Sequence, residues 1–186
     1  FEYLNHAEDY GISVKDAKAD FTKIVKRSRD VADGMSKGVQ FLLKKNKLDV
    51  INGSGKIIGK GKVEVDENGT KQVVEAKHII VATGARSTNL PFMPQDGKKI
   101  IGYREAMSLP KQPKSMVVVG SGAIGSEFAY FYNALGTKVT IIELMPNIVP
   151  VEDEEVSKQL ERSFKKQGIS VMTNSSVESV DTSGSG

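Results

Sequence analysis

The first quarter of the chain has a helical spacing of apolar residues. Between residues 14 and 46 the apolar positions recur at steps of three and four, which is typical of one face of a helix. Ser13 and Asp16 are candidate caps for its start. Gly34 and Gly38 lie four apart on one face, where glycine either permits close approach of a partner element or marks a local bend. The pattern therefore predicts one long helix over residues 14–46.

The spacing changes after residue 46, where short β-prone segments follow one another. Asn68-Gly69 separates two of these segments and is the strongest short signal for a hairpin turn. We therefore expect a small antiparallel meander over residues 47–76, built from the segments LDVIN, KIIG, KVEVD and KQVVEA. The next segment, HIIVATGA at residues 78–85, predicts a buried strand that runs into a glycine.

Strands and helices alternate from Ser115 onward. Pro110 and Pro113 flank a predicted linker before this region, and Gly136 follows its first helix, where a helix end favours a left-handed residue. Strands that alternate with helices imply right-handed βαβ crossovers and a parallel sheet. The predicted fold class is α/β, with strands at 116–119, 139–143 and 169–173 and helices at 123–135 and 152–167.

Composition narrows the classes of function. The 186 residues carry a net charge of +3 without a compact basic patch, which argues against nucleic acid as a partner. The apolar runs are too short to span a membrane, and no signal peptide is recognisable. We therefore expect a soluble protein of the cytoplasm, or of the mitochondrial matrix if the source is eukaryotic.

The chain has no cysteine, and its histidines are His6 and His78. Without cysteine, these residues form no disulfide, no thiolate metal site and no dithiol redox centre. The two histidines lie far apart in the sequence, so no metal site is predicted.

The segment VVVGSGAIG carries the main chemical signal of the chain. Gly120, Gly122 and Gly125 follow a predicted strand and open a predicted helix. In a dinucleotide site the first glycine permits the tight turn, the second lets the pyrophosphate approach the backbone, and the third lets the helix pack on the strand. The N–H groups of the first helical turn and the helix dipole then hold the phosphate charge. The competing interpretation is a tight turn without a ligand.

An acidic residue at the end of the second strand bears on the choice of dinucleotide. Glu143 lies 23 residues after Gly120, the spacing expected of the acid that accepts hydrogen bonds from the adenosine ribose. The same carboxylate repels a 2′-phosphate, and no arginine between Glu143 and Val151 offsets that charge. We therefore expect NAD rather than NADP, by about ten- to a hundredfold in affinity. The competing interpretation is a solvated glutamate at a strand end.

The remaining acidic positions of this region have a structural interpretation. Glu127 lies in the first turns of the same helix, where acids complement the helix dipole. The run Glu152-Asp153-Glu154-Glu155 is interpreted as the N-terminal cap of the second helix rather than as a metal or acid–base site.

Several segments together resemble one known family. They are Gly11-Ile12, the long helix, LKKNKLDVINGSGKI, HIIVATGAR, VVVGSGAIGSEF and FKKQGIS, in this order. The order resembles the middle of the dihydrolipoamide dehydrogenases, the E3 components of 2-oxoacid dehydrogenase complexes, which are flavoproteins of the pyridine nucleotide–disulfide oxidoreductase class. The resemblance covers nearly the whole chain. It implies part of an FAD domain over residues 1–114, with the long helix and the meander, followed by a partial Rossmann-type βαβαβ NAD domain over residues 115–186.

The resemblance also implies which residues contact the two cofactors. Val177 is similar to a position that lines the adenine of NAD, although an ordinary strand valine explains it equally well. Glu127 matches a position near the nicotinamide, and Gly55 matches a glycine near the adenine of FAD. Ala85 stands where the family usually has serine, so only backbone contacts to FAD are implied there. The implied contacts are Gly120, Ser121, Gly122, Ala123, Ile124, Gly125, Ser126, Glu127, Glu143 and Val177 for NAD, and Gly55, Thr83, Gly84 and Ala85 for FAD.

The chemistry of this family passes hydride from a thiolate–flavin pair to NAD, and it needs a Cys-x-x-x-x-Cys pair and a His–Glu pair. The chain has no cysteine, and neither of its histidines has the family's context. We therefore predict no catalytic residue here, an inactive chain on its own, and weak or absent FAD binding. For a longer parent protein the resemblance implies oxidation of dihydrolipoyl groups with reduction of NAD, lipoyl domains as partners, and a homodimer.

Two other interpretations stay open. In one, the chain is a non-catalytic dinucleotide-binding or structural module. In the other, it is part of a related NADH oxidase or transhydrogenase. A Cys-x-x-x-x-Cys pair shortly before Phe1 in the reading frame would favour a catalytic parent.

Overall fold

The structure, a computed structural model, describes residues 2–184, with the backbone alone at Glu2. Residues 29–86 form one compact unit, and the segments before and after them form another. An antiparallel sheet in the first and a parallel sheet in the second accompany the helices, so the predicted α/β class is confirmed. The domain division predicted at residues 114 and 115 stays a prediction. Three short elements are α1 (Glu2–Asn5), a 3₁₀ turn (Ala7–Tyr10) and α3 (Tyr103–Ala106).

The long helix α2 (Phe21–Lys45) begins later than the sequence pattern predicts. The carboxylate of Asp20 accepts a hydrogen bond from the N–H of Lys23 at 3.0 Å, so Asp20 lies at the capping position. The predicted caps Ser13 and Asp16 are therefore wrong. Asp16 has a φ of 55°, a left-handed conformation that cannot continue a right-handed helix.

Part of the apolar stripe of α2 remains exposed within residues 2–184. Val31, Met35 and Val39 keep about half or more of their surface accessible, at 49%, 69% and 56%. A Cβ placed at Gly34 or Gly38 would meet no atom within 4 Å. The described residues therefore provide no close partner for these glycines, and both interpretations of them stay open.

One of the compact units contains the predicted antiparallel meander. β1 (Ser54–Gly59), β2 (Lys62–Glu67) and β3 (Thr70–Glu75) lie in sequence order in one sheet. Asn68 and Gly69 connect β2 to β3, and both have positive φ, 52° and 92°. Because a type I′ turn requires positive φ at both central residues, the Asn-Gly hairpin prediction is confirmed.

Two predicted strands of this unit do not form. Residues 48–52 (LDVIN) and 78–85 (HIIVATGA) lie outside every strand. The strand predicted as buried at HIIVATGA is instead an exposed segment, with Ile80 and Val81 accessible to 91% and 65%. A strand exists only through hydrogen bonds to a neighbour, and no strand within residues 2–184 pairs with either segment. The apolar composition of these segments suggested strands, but composition does not show whether a neighbouring strand is present to pair with them.

The other unit contains the parallel sheet that positions the candidate site. β4 (Ser115–Val119), β5 (Lys138–Ile142) and β6 (Ser170–Met172) run parallel in this order. The crossover helices α4 (Ala123–Ala134) and α5 (Glu154–Lys166) connect them, which gives the predicted βαβαβ arrangement.

The ends of both crossover helices follow from local sequence. Asp153 caps α5, because its carboxylate accepts the N–H groups of Glu155 and Val156 at 2.8 and 3.3 Å. The interpretation of the acidic run as a helix cap is thus confirmed. Gly136 and Gly168 follow α4 and α5 with φ of 96° and 87°, the left-handed conformation expected after a helix.

The core of this unit is formed by α4, α5, the sheet and the start of α2. Tyr132 of α4 is fully buried, and its ring packs against that of Phe21 at a centroid distance of 5.9 Å. Its hydroxyl donates to the carbonyl of Ala106 at 2.5 Å. Burial raises the pKa of Tyr132, so the hydroxyl keeps its proton as a donor. Within residues 2–184 no helix is both long and apolar enough to cross a membrane.

Candidate dinucleotide-binding site

The glycine-rich turn joins the C-terminal end of β4 to the N-terminus of α4. Gly120 has a φ of 95°, a conformation that residues with a side chain rarely adopt. Its N–H donates to the carbonyl of Ile142 at 2.8 Å, which holds the turn against the end of β5. Gly122 then precedes α4 in an extended conformation and has no side chain to cap the helix.

The two later glycines of the turn are needed for different reasons. A Cβ at Gly125 would lie 2.2 Å from the carbonyl oxygen of Gly120 and 3.2 Å from a methyl group of Val118. The helix therefore approaches the strand and turn too closely for any side chain at this position. A Cβ at Gly122 would meet no atom within 4 Å. Gly122 thus borders open space beside the helix start, the space that a phosphate group would need.

The first turn of α4 offers backbone donors at this open space. The N–H of Ser126 bonds back to the carbonyl of Gly122 at 2.9 Å. The N–H groups of Ala123, Ile124 and Gly125 precede that bond and have no carbonyl one turn back. Together with the helix dipole, they make this end of α4 favourable for an anion.

Glu143 directly follows β5 and reaches the glycine turn. Only 7% of its surface is exposed, so it is not the solvated glutamate of the competing interpretation. Its Oε2 accepts hydrogen bonds from the N–H and the hydroxyl of Ser121 at 2.8 and 2.6 Å, and its Oε1 accepts the N–H of Met145 at 2.9 Å. A carboxylate has about four acceptor positions, so about one remains, on Oε1.

The surroundings of Glu143 favour its ionised form. Burial alone would raise the pKa of this carboxyl, but the hydrogen bonds from Met145 and Ser121, with a smaller contribution from the nearby backbone of Leu144, outweigh it and hold the pKa below the ordinary value of 4.5. The site therefore holds a fixed negative charge near neutral pH. Such a charge attracts hydroxyl donors and repels a second negative group.

The loop after β5 contains features that sequence reasoning missed. The N–H of Val149 donates to the carbonyl oxygen of Ser121 at 3.0 Å and to its hydroxyl oxygen at 3.2 Å. Val149 has a φ of 41°, which is unusual for a β-branched residue. Leu144 and Met145 are exposed directly beyond Glu143, at 67% and 48%. Loop conformation has no periodicity in sequence, so no pattern could have revealed these contacts.

Two predicted contacts lie at the margin of this arrangement. Val177 is partly buried and lies two residues beyond Ser175, whose N–H donates to the carbonyl of Glu143 at 2.9 Å. Glu127 is exposed in the early part of α4. The roles of both residues stay predictions.

The residues predicted to contact FAD lie in the other compact unit. A Cβ at Gly55 would make only an ordinary contact of 3.6 Å with Val63, so nothing in the described residues requires glycine there. Thr83, Gly84 and Ala85 are exposed. The FAD contacts predicted at these four positions stay predictions. No group of three or more metal-binding side chains occurs within residues 2–184.

A parallel βαβαβ sheet with a glycine turn after its first strand and an acid after its second defines a Rossmann-type dinucleotide-binding fold. Residues 4–185 match the family described as pyridine nucleotide-disulphide oxidoreductase. The chain belongs to this family of flavoprotein oxidoreductases, and the resemblance found in its motifs is confirmed.

The chain is also similar to individual proteins of this family. Dihydrolipoyl dehydrogenase of Chlorobaculum tepidum is 46% identical over 187 residues, which cover 100% of this chain and 40% of that protein. Dihydrolipoyl dehydrogenase of Zymomonas mobilis is 43% identical over 181 residues, which cover 97% of this chain and 39% of that protein. The crystal structure of LpdA from Mycobacterium tuberculosis matches with a TM-score of 0.89 at 29% identity, over 100% of this chain and 41% of that one. The chain thus spans about 40% of the length of these relatives.

Proposed function

We propose that this chain forms the NAD-binding part of a dihydrolipoyl dehydrogenase. Family membership and the named relatives support the class of enzyme. The buried, ionised carboxylate of Glu143 beside the glycine turn is the observation that carries the choice of NAD. The longer enzyme would oxidise dihydrolipoyl groups and reduce NAD⁺ with the help of FAD and a redox disulfide.

The glycine turn would bind the pyrophosphate. Gly122 leaves the approach to the backbone open, since no Cβ stands there. The N–H groups of Ala123, Ile124 and Gly125 would donate to the phosphate oxygens, and the helix dipole would favour their negative charge. Bound NAD would supply the acceptor for hydride.

Glu143 would bind the adenosine ribose and discriminate against NADP. Its Oε1, which has the remaining acceptor position, would take a hydrogen bond from a ribose hydroxyl. A charged hydrogen bond of this kind contributes about 1.5–3 kcal/mol. A 2′-phosphate would instead meet a like charge, and no arginine follows in residues 144–151 to neutralise it.

The thiol chemistry would be performed by other residues of the longer enzyme, since this chain contains no cysteine. We assign no catalytic residue to it and expect no dehydrogenase activity from it alone, with weak or absent FAD binding. Lipoyl domains as partners, a homodimer, and a location in the cytoplasm or mitochondrial matrix are proposals for the longer enzyme.

Titration of the purified chain with NADH and NADPH tests the assignment. The chain has no tryptophan, so NADH fluorescence reports binding without energy transfer from that residue. We expect NADH to bind about ten- to a hundredfold tighter than NADPH, and Glu143→Ala to abolish most of that preference. Glu152→Ala, which removes an exposed acid of the same unit, is the matched control and should keep the preference. Equal affinity of the unmodified protein for both dinucleotides would refute the assignment.

A further inference from the structure

The hydroxyl group of Ser121, a residue that the family resemblance implies only as an NAD contact, lies at the centre of a buried network. Ser121 has no exposed surface. Its hydroxyl oxygen lies 2.6 Å from Oε2 of Glu143 and 3.2 Å from the nitrogen of Val149. Because the N–H of Val149 can only donate, the hydroxyl oxygen accepts that bond, and its single proton is directed at Glu143.

We propose that Ser121 is a positioning residue that sets the preference of this site for NAD over NADP by fixing the carboxylate of Glu143. This inference rests on the proposed function and goes beyond it, because the family pattern requires only small residues and backbone groups in the turn.

The hydroxyl controls which carboxylate oxygen is available. Oε2 takes two hydrogen bonds from Ser121, whereas Oε1 takes one from Met145 and keeps an acceptor position. The terminal torsion of a glutamate is broad, so the hydroxyl bond adds to the two backbone bonds in holding one orientation. A carboxylate that turned away would lose its ribose bond and would also repel a 2′-phosphate less. Loss of the hydroxyl therefore affects the two dinucleotides in opposite directions.

The hydroxyl is itself held in place by the loop after β5. Val149 keeps a φ of 41° while its N–H contacts Ser121. A strained conformation of this kind persists only where the surrounding structure enforces it. The hydroxyl of Ser157 on α5 contributes to this by donating to the carbonyl of Val149 at 3.4 Å. The direction of the Ser121 hydroxyl is thus determined by the fold and not by solvent.

A double-mutant cycle tests the inference in the 186-residue protein. The affinities for NADH and NADPH are measured for the unmodified protein, Ser121→Ala, Glu143→Ala and the double variant. We expect Ser121→Ala to reduce the NADH preference at least about fivefold, and to change it less than about twofold when Glu143 is already alanine. Thr137→Val is the control, because it removes another buried hydroxyl of the same unit, one that bonds to the carbonyl of Pro113 and touches neither Ser121 nor Glu143.

The pH dependence of binding gives a second readout. The Ser121 hydroxyl is among the groups that lower the pKa of Glu143. The NADH affinity of Ser121→Ala should therefore begin to fall at a higher pH than that of the unmodified protein as the solution is acidified. If circular dichroism shows that the alanine variant is unfolded, Ser121→Cys, with its weaker donor, should shift both readouts in the same direction.

The outcomes separate this inference from the proposed function. An unchanged preference and pH profile in Ser121→Ala would overturn the role of Ser121 while leaving the NAD site in place. An equal loss of preference with and without Glu143 would also overturn it, since Ser121 would then act through the fold alone. No binding of NADH to the unmodified protein would overturn the proposed function, and this inference with it.

Discussion

Gly122 and Gly125 lie three residues apart in the same turn, and single alanine substitutions should affect different properties at the two positions: NADH affinity at Gly122 and stability at Gly125. At Gly125 the new Cβ would lie 2.2 Å from the carbonyl oxygen of Gly120. That atom belongs to the backbone of a tight turn, so it cannot move aside as the end of a flexible side chain could. At Gly122 the new Cβ would meet no atom within 4 Å.

The expected magnitudes follow from these contacts. Alanine is about 1 kcal/mol better than glycine inside a helix, which favours Gly125→Ala, but overpacking of this kind costs about 1–3 kcal/mol and often more against backbone. Because the clash is with backbone, we expect a cost in the upper part of that range and a net loss of about 1–2 kcal/mol in the free energy of unfolding. Gly122 precedes the helix at its capping position, where replacing glycine by alanine costs less than about 1 kcal/mol. The Cβ at Gly122 would instead obstruct the pyrophosphate, and the affinity for NADH should fall at least about tenfold.

The assay combines urea unfolding, followed by circular dichroism, with titration of NADH against each folded variant. Gly122→Ala should keep its stability and lose affinity for NADH, whereas the main effect of Gly125→Ala should be a loss of stability. Gly34→Ala in α2, where the new Cβ also meets open space, controls for the effect of alanine itself. Normal NADH affinity in Gly122→Ala would refute the assignment of this turn to the pyrophosphate. Full stability of Gly125→Ala would show that the close approach of α4 to the turn is not as tight as the distances indicate.

Three further substitutions test the unit that carries the site. Glu143→Gln should lower the free energy of unfolding. Because the pKa of Glu143 in the folded protein lies below 4.5, the loss of stability should be complete above pH 4.5 and should shrink as the pH falls through the folded-state pKa. A loss of stability that does not change with pH between about 7 and 3 would contradict this. Tyr132→Phe should cost about 1–3 kcal/mol in urea unfolding, because the buried carbonyl of Ala106 loses its donor, and a cost below about 0.5 kcal/mol would argue against that bond. Asp153→Ala should cost about 0.5–2 kcal/mol by removing the cap of α5, whereas Glu152→Ala should have little effect, and equal effects would refute the capping role.

The second half of the chain was predictable because its signals are local. Gly136 and Gly168 mark helix ends, Asp153 caps a helix, and the helical and strand periods alternate. Each of these features depends on a few neighbouring residues and on the allowed backbone angles of glycine. The Asn68-Gly69 hairpin of the other unit was predictable for the same reason.

The segment HIIVATGA shows where local signals fail. Its apolar residues are typical of a buried strand, yet Ile80 is 91% exposed and the segment is unpaired within residues 2–184. The start of α2 was also predicted too early, because apolar spacing continues through Asp16, whose left-handed backbone excludes a helix. Strand pairing depends on residues distant in the sequence, and the backbone conformation of a single residue depends on its local contacts. A periodic pattern of apolar residues records neither.

At the candidate site, the types of residue were predictable from the sequence, whereas the contacts between them were not. The order of residues alone predicts a glycine turn after a strand and an acid at the end of the next strand, and these residue types suit NAD. The folded structure was needed to find that Glu143 is buried, that its Oε2 is bound by Ser121, and that Val149 orients the Ser121 hydroxyl. The physical reason is that the spacing of residues along strands and helices can be read from sequence. The direction of a single hydroxyl proton depends on groups that the fold brings together from distant parts of the chain.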